Sequence, residues 1–383
     1  MGFRTKQVRA GVTPDPVTGA ILTPIHQSTT FVQDSVDGYM EKGYSYARGG
    51  NPTVRALEEK LTALEGGVDA TAYSSGMAAT VAVFLAFLQA GDHIVVADAI
   101  YGGTYRFVDQ FLAKFAVDAT FVDASDLEVV NAAMRPETKL VFTESPANPT
   151  LKVTDIAGVS AICADHGALH VTDNTFLTPY YQRPFELGAD IVVHSTTKFL
   201  DGHNATLGGA VVVRETGHQE RIAFARISAG LVMSPMVAWL TLQGVKTLSI
   251  RMDSQSASAQ AIAEFLETHP KVDYVNYPGL PGHPQHELSA KQATGFGAMV
   301  CFEVEGGHEA GKRLMDTIEL WSLAENLGAV ESLITHPVTM THAAVPPDER
   351  LAAGITDGLV RLSVGLEDTE DLIGALDKAL RAL

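Results

Sequence analysis

The run Val192-Val193-His194-Ser195-Thr196-Thr197-Lys198 places a lysine just beyond an apolar stretch that reads as a buried strand, with two hydroxyl side chains in reach. A lysine held near apolar walls and other cations gives up its proton more readily, which frees the amine to condense with an aldehyde. Ser195 and Thr197 are then placed to bind a phosphate held close by. Standing alone, a lysine after a strand is more often a surface residue. Upstream, Leu169-His170-Val171-Thr172-Asp173 ends a second apolar strand on a carboxylate. A buried carboxylate without a partner is costly, so Asp173 calls for a cation. A protonated pyridine nitrogen would serve, and a pyridine-type cofactor held in that charge state is an electron sink. The competing reading is an aspartate that caps a helix or turn.

A phosphate also needs a cradle. Ser74-Ser75-Gly76-Met77-Ala78-Ala79 opens an apolar helix with small residues, so backbone N–H groups and the helix dipole can meet an anion closely. Ser-Gly starts to helices are common, and the motif is weak by itself. Tyr101, in Asp98-Ala99-Ile100-Tyr101-Gly102-Gly103-Thr104, follows another strand end, where it either stacks on a planar ring or packs in the turn. The segment Tyr44-Ser45-Tyr46-Ala47-Arg48-Gly49-Gly50-Asn51-Pro52 concentrates aromatic and guanidinium groups among turn residues. Tyr46 and Arg48 together make either a phosphate clamp or a stacked surface pair.

Positioning such groups needs a sheet. The first 50 or so residues carry many turn formers and little periodicity, so they read as an extended arm that must lie on something. Asn51-Pro52-Thr53 then caps a helix with Leu57, Leu61 and Leu64 on one face, stopped by Gly66-Gly67. From there to Arg214, strands at His93–Asp98, Ala119–Asp123, Leu140–Glu144, Leu169–Asp173, Ile191–His194 and Ala210–Arg214 alternate with helical stretches such as Thr104–Phe115 and Asp155–His166. That alternation builds a mainly parallel sheet covered on both faces, with ligands at the carboxyl ends of its strands. After Gly230 the rhythm changes to a long helical region, Pro235–Thr268, then strands near Val272–Tyr277, Gly297–Val304 and Leu359–Val364, and a final helix. The expected organisation is an arm over 1–54, an α/β cofactor-binding domain over 55–232 and a smaller α+β domain over 233–383.

Composition removes several function classes. A formal charge of −18, with no run of Lys or Arg to offset it, repels nucleic-acid backbones and anionic membranes. Cys163 and Cys301 lie in apolar stretches without a second ligand at metal-binding spacing, so they read as packing residues and no metal site is expected. The longest apolar run, Ala78–Leu88, is shorter than the roughly 20 residues of a membrane span. Met1-Gly2-Phe3-Arg4 leads into no signal-peptide apolar region, and a cytoplasmic protein is expected. No Gly-x-Gly-x-x-Gly follows the first strand, which argues against a nicotinamide dehydrogenase.

Together, Tyr46-Ala47-Arg48-Gly49-Gly50-Asn51-Pro52-Thr53, Ser75-Gly76-Met77, Tyr101-Gly102-Gly103-Thr104, Glu144-Ser145-Pro146-Ala147-Asn148-Pro149, Asp173-Asn174-Thr175, His194-Ser195-Thr196-Thr197-Lys198 and Glu331-Ser332-Leu333 to Met340-Thr341-His342 resemble, in order and spacing over nearly the whole chain, the Cys/Met-metabolism enzymes dependent on pyridoxal 5'-phosphate (PLP). The resemblance implies the aspartate aminotransferase-like fold type I, with a seven-stranded, mainly parallel sheet and a smaller C-terminal domain. It implies that Lys198 carries the cofactor as a Schiff base and shuttles protons, that Asp173 pairs with the pyridine nitrogen, and that Tyr101 stacks on the ring and shares acid–base work. Ser75, Gly76, Met77, Ser195 and Thr197 would hold the phosphate within one subunit. Tyr46 and Arg48 would reach the phosphate of a neighbour in a homotetramer built as a pair of dimers. Arg361 is similar to the family's clamp for the substrate α-carboxylate. Asn148 falls near the ring hydroxyl or that carboxylate, and Glu325 lies at the mouth.

Departures bear on the substrate. Ala47 stands where most relatives carry Ser, Asn326 stands as a substrate-binding residue where the synthases and lyases usually have Ser next to the cofactor imine and the substrate carboxylate, and Asp201–Gly209 looks more like the sulfhydrylases than the cystathionine enzymes. Gly103 stands where methionine γ-lyases typically have Cys. The resemblance therefore ranks cystathionine γ-synthase first, cystathionine γ-lyase second, and a sulfhydrylase or a divergent γ-replacement enzyme of specialised metabolism third. A catalytically silent binding protein of the same fold is a reading from another class, and Lys198, Asp173 and Arg361 occurring together argue against it.

Overall fold

Asn51 starts the long N-terminal helix Pro52–Glu65 as expected, its side-chain oxygen accepting from the N–H groups of Thr53 and Val54. Leu57, Leu61 and Leu64 on that helix are buried, and Gly66 ends it at φ 84, a left-handed turn that a β-carbon would strain. The computed structural model describes residues 1–343 and 345–383. Next comes the large sheet, with β1 (Asp69–Tyr73), β2 (His93–Ala97), β3 (Asp118–Val122), β4 (Thr138–Glu144), β5 (Leu169–Asp173), β6 (Ile191–Ser195) and β7 (Gly209–Val213). Its order is β1-β7-β6-β5-β4-β2-β3, and β7 alone runs against its neighbours.

Both faces of this sheet are dry. Ile94 and Val96 of β2 pack into a core with Val83 and Phe84 of the helix Gly76–Phe87 and Ile222 of the helix Thr216–Ala229. Val95 points the other way, onto Val159 and Cys163 of the helix Ile156–His166. The two-residue period of the strands thus feeds two separate cores. Six of the seven strands overlap the runs read from sequence. The seventh, β1, is largely Ala and Thr, with no β-branched apolar run to mark it.

A second sheet, β8 (Val272–Asn276), β9 (Met299–Val304), β10 (Ser322–Leu323), β11 (Leu333–Thr335) and β12 (Leu359–Ser363), has the order β10-β11-β12-β9-β8. The helix Leu248–Glu267 packs against it through Met252, Ile262 and Leu266. β10 and β11, of two and three residues, are too short to show a period.

Two expectations need correction, and the helical region resolves into two elements. The arm is not extended throughout: Phe3–Arg9 is a helix, fixed by Gln7, whose buried amide donates to Lys246 O and Ser249 Oγ. The region Pro235–Thr268 is two helices, Pro235–Val245 and Leu248–Glu267, which break where Arg251 turns back to donate to Gly244 O. The stretch Thr104–Phe115 is a helix over Gly102–Gln110 followed by a tighter 3₁₀ turn, Leu112–Phe115, that closes on Ala116 at φ 56. No helix among the described residues is long and apolar enough to cross a membrane.

Candidate active site

Three neighbouring strands end on polar groups at one edge of the large sheet: β4 on Glu144, β5 on Asp173 and β6 on Ser195. Glu144 and Asp173 are register partners, so the two carboxylates stand side by side. Lys198 follows in the turn after β6. All four line one cavity of about 440 Å³, which lies between the sheet edge and the second sheet domain.

At one end of the cavity is the start of the helix Gly76–Phe87. Ser75 Oγ accepts from Ala78 N at 3.0 Å, while the earlier N–H groups of the turn have no acceptor within the helix. A β-carbon on Gly76 would lie 2.8 Å from Ser195 Cβ, so only glycine lets the helix start approach β6 this closely. The Thr197 hydroxyl is held by Gly208, donating to its carbonyl at 3.1 Å and accepting from its N–H at 3.0 Å. Ser75, Gly76, Met77, Ser195 and Thr197 line this end together.

The middle of the cavity is acidic. Asp173 Oδ1 accepts from Thr175 N at 2.9 Å, and the Thr175 hydroxyl accepts from Ser195 N at 2.8 Å. Glu144 accepts from Tyr101 N and Asn148 N, both at 3.0 Å. Burial, and then the neighbouring Asp173 charge, push the Glu144 carboxyl up to about 8. Burial also raises Asp173, against the downward pull of its hydrogen bonds from Thr175. Two carboxylates here are one negative charge too many unless a cation sits between them. Behind the strand, His194 Nε2 lies 3.0 Å from Glu65 Oε1, which also accepts from Asn174 Nδ2 at 2.9 Å.

The far end is basic. Lys198 Nζ donates to Asn326 Oδ1 at 2.6 Å, and burial, followed by the Arg361 charge, pushes its ammonium down to about 8. Arg361, on β12, is 2% exposed. Its Nη1 donates to Asn148 Oδ1 at 2.8 Å, and its Nη2 donates to Thr335 Oγ1 at 3.1 Å and Asn326 O at 3.2 Å. Its Nε has no acceptor, and it forms no ion pair among the described residues. A buried guanidinium bonded only to neutral groups is ready for a carboxylate ligand. Glu325, exposed, lines the mouth.

Of the residues singled out from sequence, the cavity gathers all but Tyr46 and Arg48, with Asn326 entering through its contact with Lys198. Those two lie outside it on the arm, Arg48 stacked 5.0 Å over the Tyr46 ring. Glu144 and Thr175 were given no role from sequence. The signal for Glu144 was present, since it ends its strand on a carboxylate as Asp173 does; the hydroxyl of Thr175 takes its meaning only from the contact with β6.

The Cys/Met metabolism PLP-dependent enzyme family matches residues 4–381. The chain belongs to that family. Cystathionine γ-synthase of Mycobacterium tuberculosis is 47% identical over 379 residues, covering 99% of this chain and 97% of that protein. Cystathionine γ-lyase of Bacillus subtilis is 46% identical over 380 residues, covering 99% of each, and cystathionine β-lyase of Lactococcus lactis is 47% identical over 378 residues, covering 99% and 98%. The solved cystathionine γ-synthase of Xanthomonas oryzae in complex with aminoacrylate and cysteine superposes with a TM-score of 0.96 at 43% identity, covering 100% of this chain and 98% of that one. The protein is a PLP-dependent enzyme with small amino-acid substrates. The cavity fits the cofactor: an anion cradle that a β-carbon at Gly76 would fill, a carboxylate pair with no ion-pair partner among the described residues, and a buried lysine with a depressed ammonium.

Proposed function

We propose that this enzyme carries out γ-replacement on an O-acyl-L-homoserine with L-cysteine or another thiol, as a cystathionine γ-synthase does. The observation that carries the reading is the separation of two charges in one cavity: buried Arg361 at the floor and the Glu325 carboxylate at the mouth. The first takes the α-carboxylate of the homoserine moiety. The second takes the ammonium of a zwitterionic thiol arriving from solvent.

In this reading Ser75, Gly76, Met77, Ser195 and Thr197 hold the phosphate, Asp173 pairs with the pyridine nitrogen and Tyr101 covers the ring. When bound, PLP supplies an electron sink for charge that develops at the substrate carbons. Chemistry at the γ-carbon needs a proton removed first from Cα and then from Cβ, and Lys198, whose ammonium is held near neutrality, is the group that carries both. Tyr101 shares that acid–base work. Asn148 holds Arg361 in plane for the carboxylate. Tyr46 and Arg48 complete the cradle of a neighbouring subunit in a homotetramer. Support for that assembly is that both residues, and the apolar Ile21, Val32 and Val36 of the same arm, are exposed on the single chain.

Elimination is the competing reaction, and relatives that perform it are as similar as the synthase, so identity does not separate the two. The charge at Glu325 supports replacement, since it can hold a zwitterionic thiol at the mouth. A charge-assisted contact of about 1.5–3 kcal/mol favours a zwitterionic thiol over water by about one to two orders of magnitude. Glu325→Ala should therefore raise KM for cysteine more than KM for the acylhomoserine. Equal changes in both would count against the reading.

A further inference from the structure

Lys198 is tied to the protein surface by a run of side chains that the reaction as described does not use. Its Nζ donates to Asn326 Oδ1 at 2.6 Å, Asn326 Nδ2 donates to Asn204 Oδ1 at 2.5 Å, and Asn204 Nδ2 donates to Glu331 Oε2 at 2.9 Å. Every donor points outward and the last acceptor is a carboxylate, which can only accept. That terminus settles the orientation of both carboxamides. The frame beneath is firm: Gly202 N donates to Lys198 O, Val330 N donates to Gly202 O at 2.9 Å, and Asp201 Oδ2 accepts from Ala205 N at 3.1 Å. Asn204 itself sits at φ 52, in a region where asparagine is among the few side chains accepted.

We propose that Asn204 and Glu331 are positioning residues for Lys198, which fix the Asn326 carboxamide so that its oxygen, and not its amino group, meets the lysine nitrogen. The proposal rests on the reading of Lys198 as the reacting amine. An oxygen in that place steadies the amine as it takes up a proton. With the amide turned round, an N–H would donate into the lone pair that must remove the proton. Hydrogen bonds that run in one direction also reinforce one another. Arg361 and Glu325 act on Lys198 through their charges, and Asp173, Glu144, Tyr101 and Arg106 line the same cavity, in parent and variants alike.

The test is the pH dependence of Lys198 acetylation by dilute acetic anhydride in the cofactor-free full-length chain, read by peptide mass mapping. Asn204→Gly, chosen because glycine accepts the left-handed backbone, and Glu331→Ala should each lower the midpoint by about 0.5–1 pH unit. Glu331→Gln keeps an acceptor but also offers a donor, so it should lower the midpoint by less than Glu331→Ala does. In an Asn326→Ser background neither Asn204→Gly nor Glu331→Ala should move the midpoint further. Unchanged midpoints, equal shifts in Glu331→Gln and Glu331→Ala, or full shifts in the Asn326→Ser background would overturn the proposal. Borohydride reduction of the holoenzyme with peptide mapping separately decides whether Lys198 carries the cofactor.

Discussion

Burying Lys198 and Arg361 in one cavity makes each less favourable as a cation, and the same burial makes Glu144 and Asp173 less favourable as anions. The site is tuned by desolvation from both sides. The Glu144 carboxyl, raised from the ordinary 4.5 to about 8, gives a measurable stability signature. Below pH 4.5 it is neutral folded or unfolded; above that the unfolded chain loses a proton which the folded chain keeps, so stability falls as pH rises toward 8. In the cofactor-free chain, Glu144→Gln should make the fall in Tm between about pH 5 and 8 shallower than in the parent; parallel curves would show that Glu144 ionises normally. Lys198→Ala should leave no pyridoxyl group fixed by borohydride at that peptide. Most of the candidate site's side chains were legible, because Lys198, Asp173 and Ser195 all follow apolar strands in sequence; Glu144 ends a strand in the same way but was given no role. What hid the roles of Asn204, Glu331 and Thr175 is that each acts through a residue distant in sequence or across a strand boundary, where spacing carries no signal.

Helix starts and strand ends are what hold these groups still. Gly76→Ala would place a methyl 2.8 Å from Ser195 Cβ and push the helix start off β6. Overpacking of that kind costs about 1–3 kcal/mol, so PLP affinity should fall by about one order of magnitude or more; an unchanged dissociation constant would mean the cradle lies elsewhere. The arm has its own anchor. Arg226, 8% exposed, donates to Glu58 Oε1 and to Gly49 O, tying the segment of Tyr46 and Arg48 to the sheet domain. Arg226→Met leaves the buried Glu58 carboxylate with the Ala72 N–H and only the more distant Arg55 guanidinium, 3.7 Å away, and should cost about 3 kcal/mol in urea unfolding, with Glu58→Gln added to it recovering part of the loss. Elements with strong periodicity or caps were legible, among them the Asn51-capped helix and six strands. The helix Phe3–Arg9 was not, since its stability comes from Gln7 and from Lys60 Nζ donating to Gln7 O at 2.7 Å, contacts made across the fold.

One chain gathers most of the candidate site in one cavity, while its Tyr46 and Arg48 lie outside that cavity on the arm. If these side chains serve a neighbour, mixed assemblies of Arg48→Ala and Lys198→Ala subunits should regain activity that neither variant has alone, since one hybrid site would be intact. No recovery in hybrids verified by mass would count against a shared site. The charge of −18 was legible from the sequence; the partition between replacement and elimination was not, because relatives of both kinds share nearly the same identity. Product analysis decides that partition. With an O-acylhomoserine and saturating cysteine, thioether should form faster than 2-oxobutyrate and ammonia are released. Faster 2-oxobutyrate release under those conditions would contradict γ-replacement and make the enzyme a lyase.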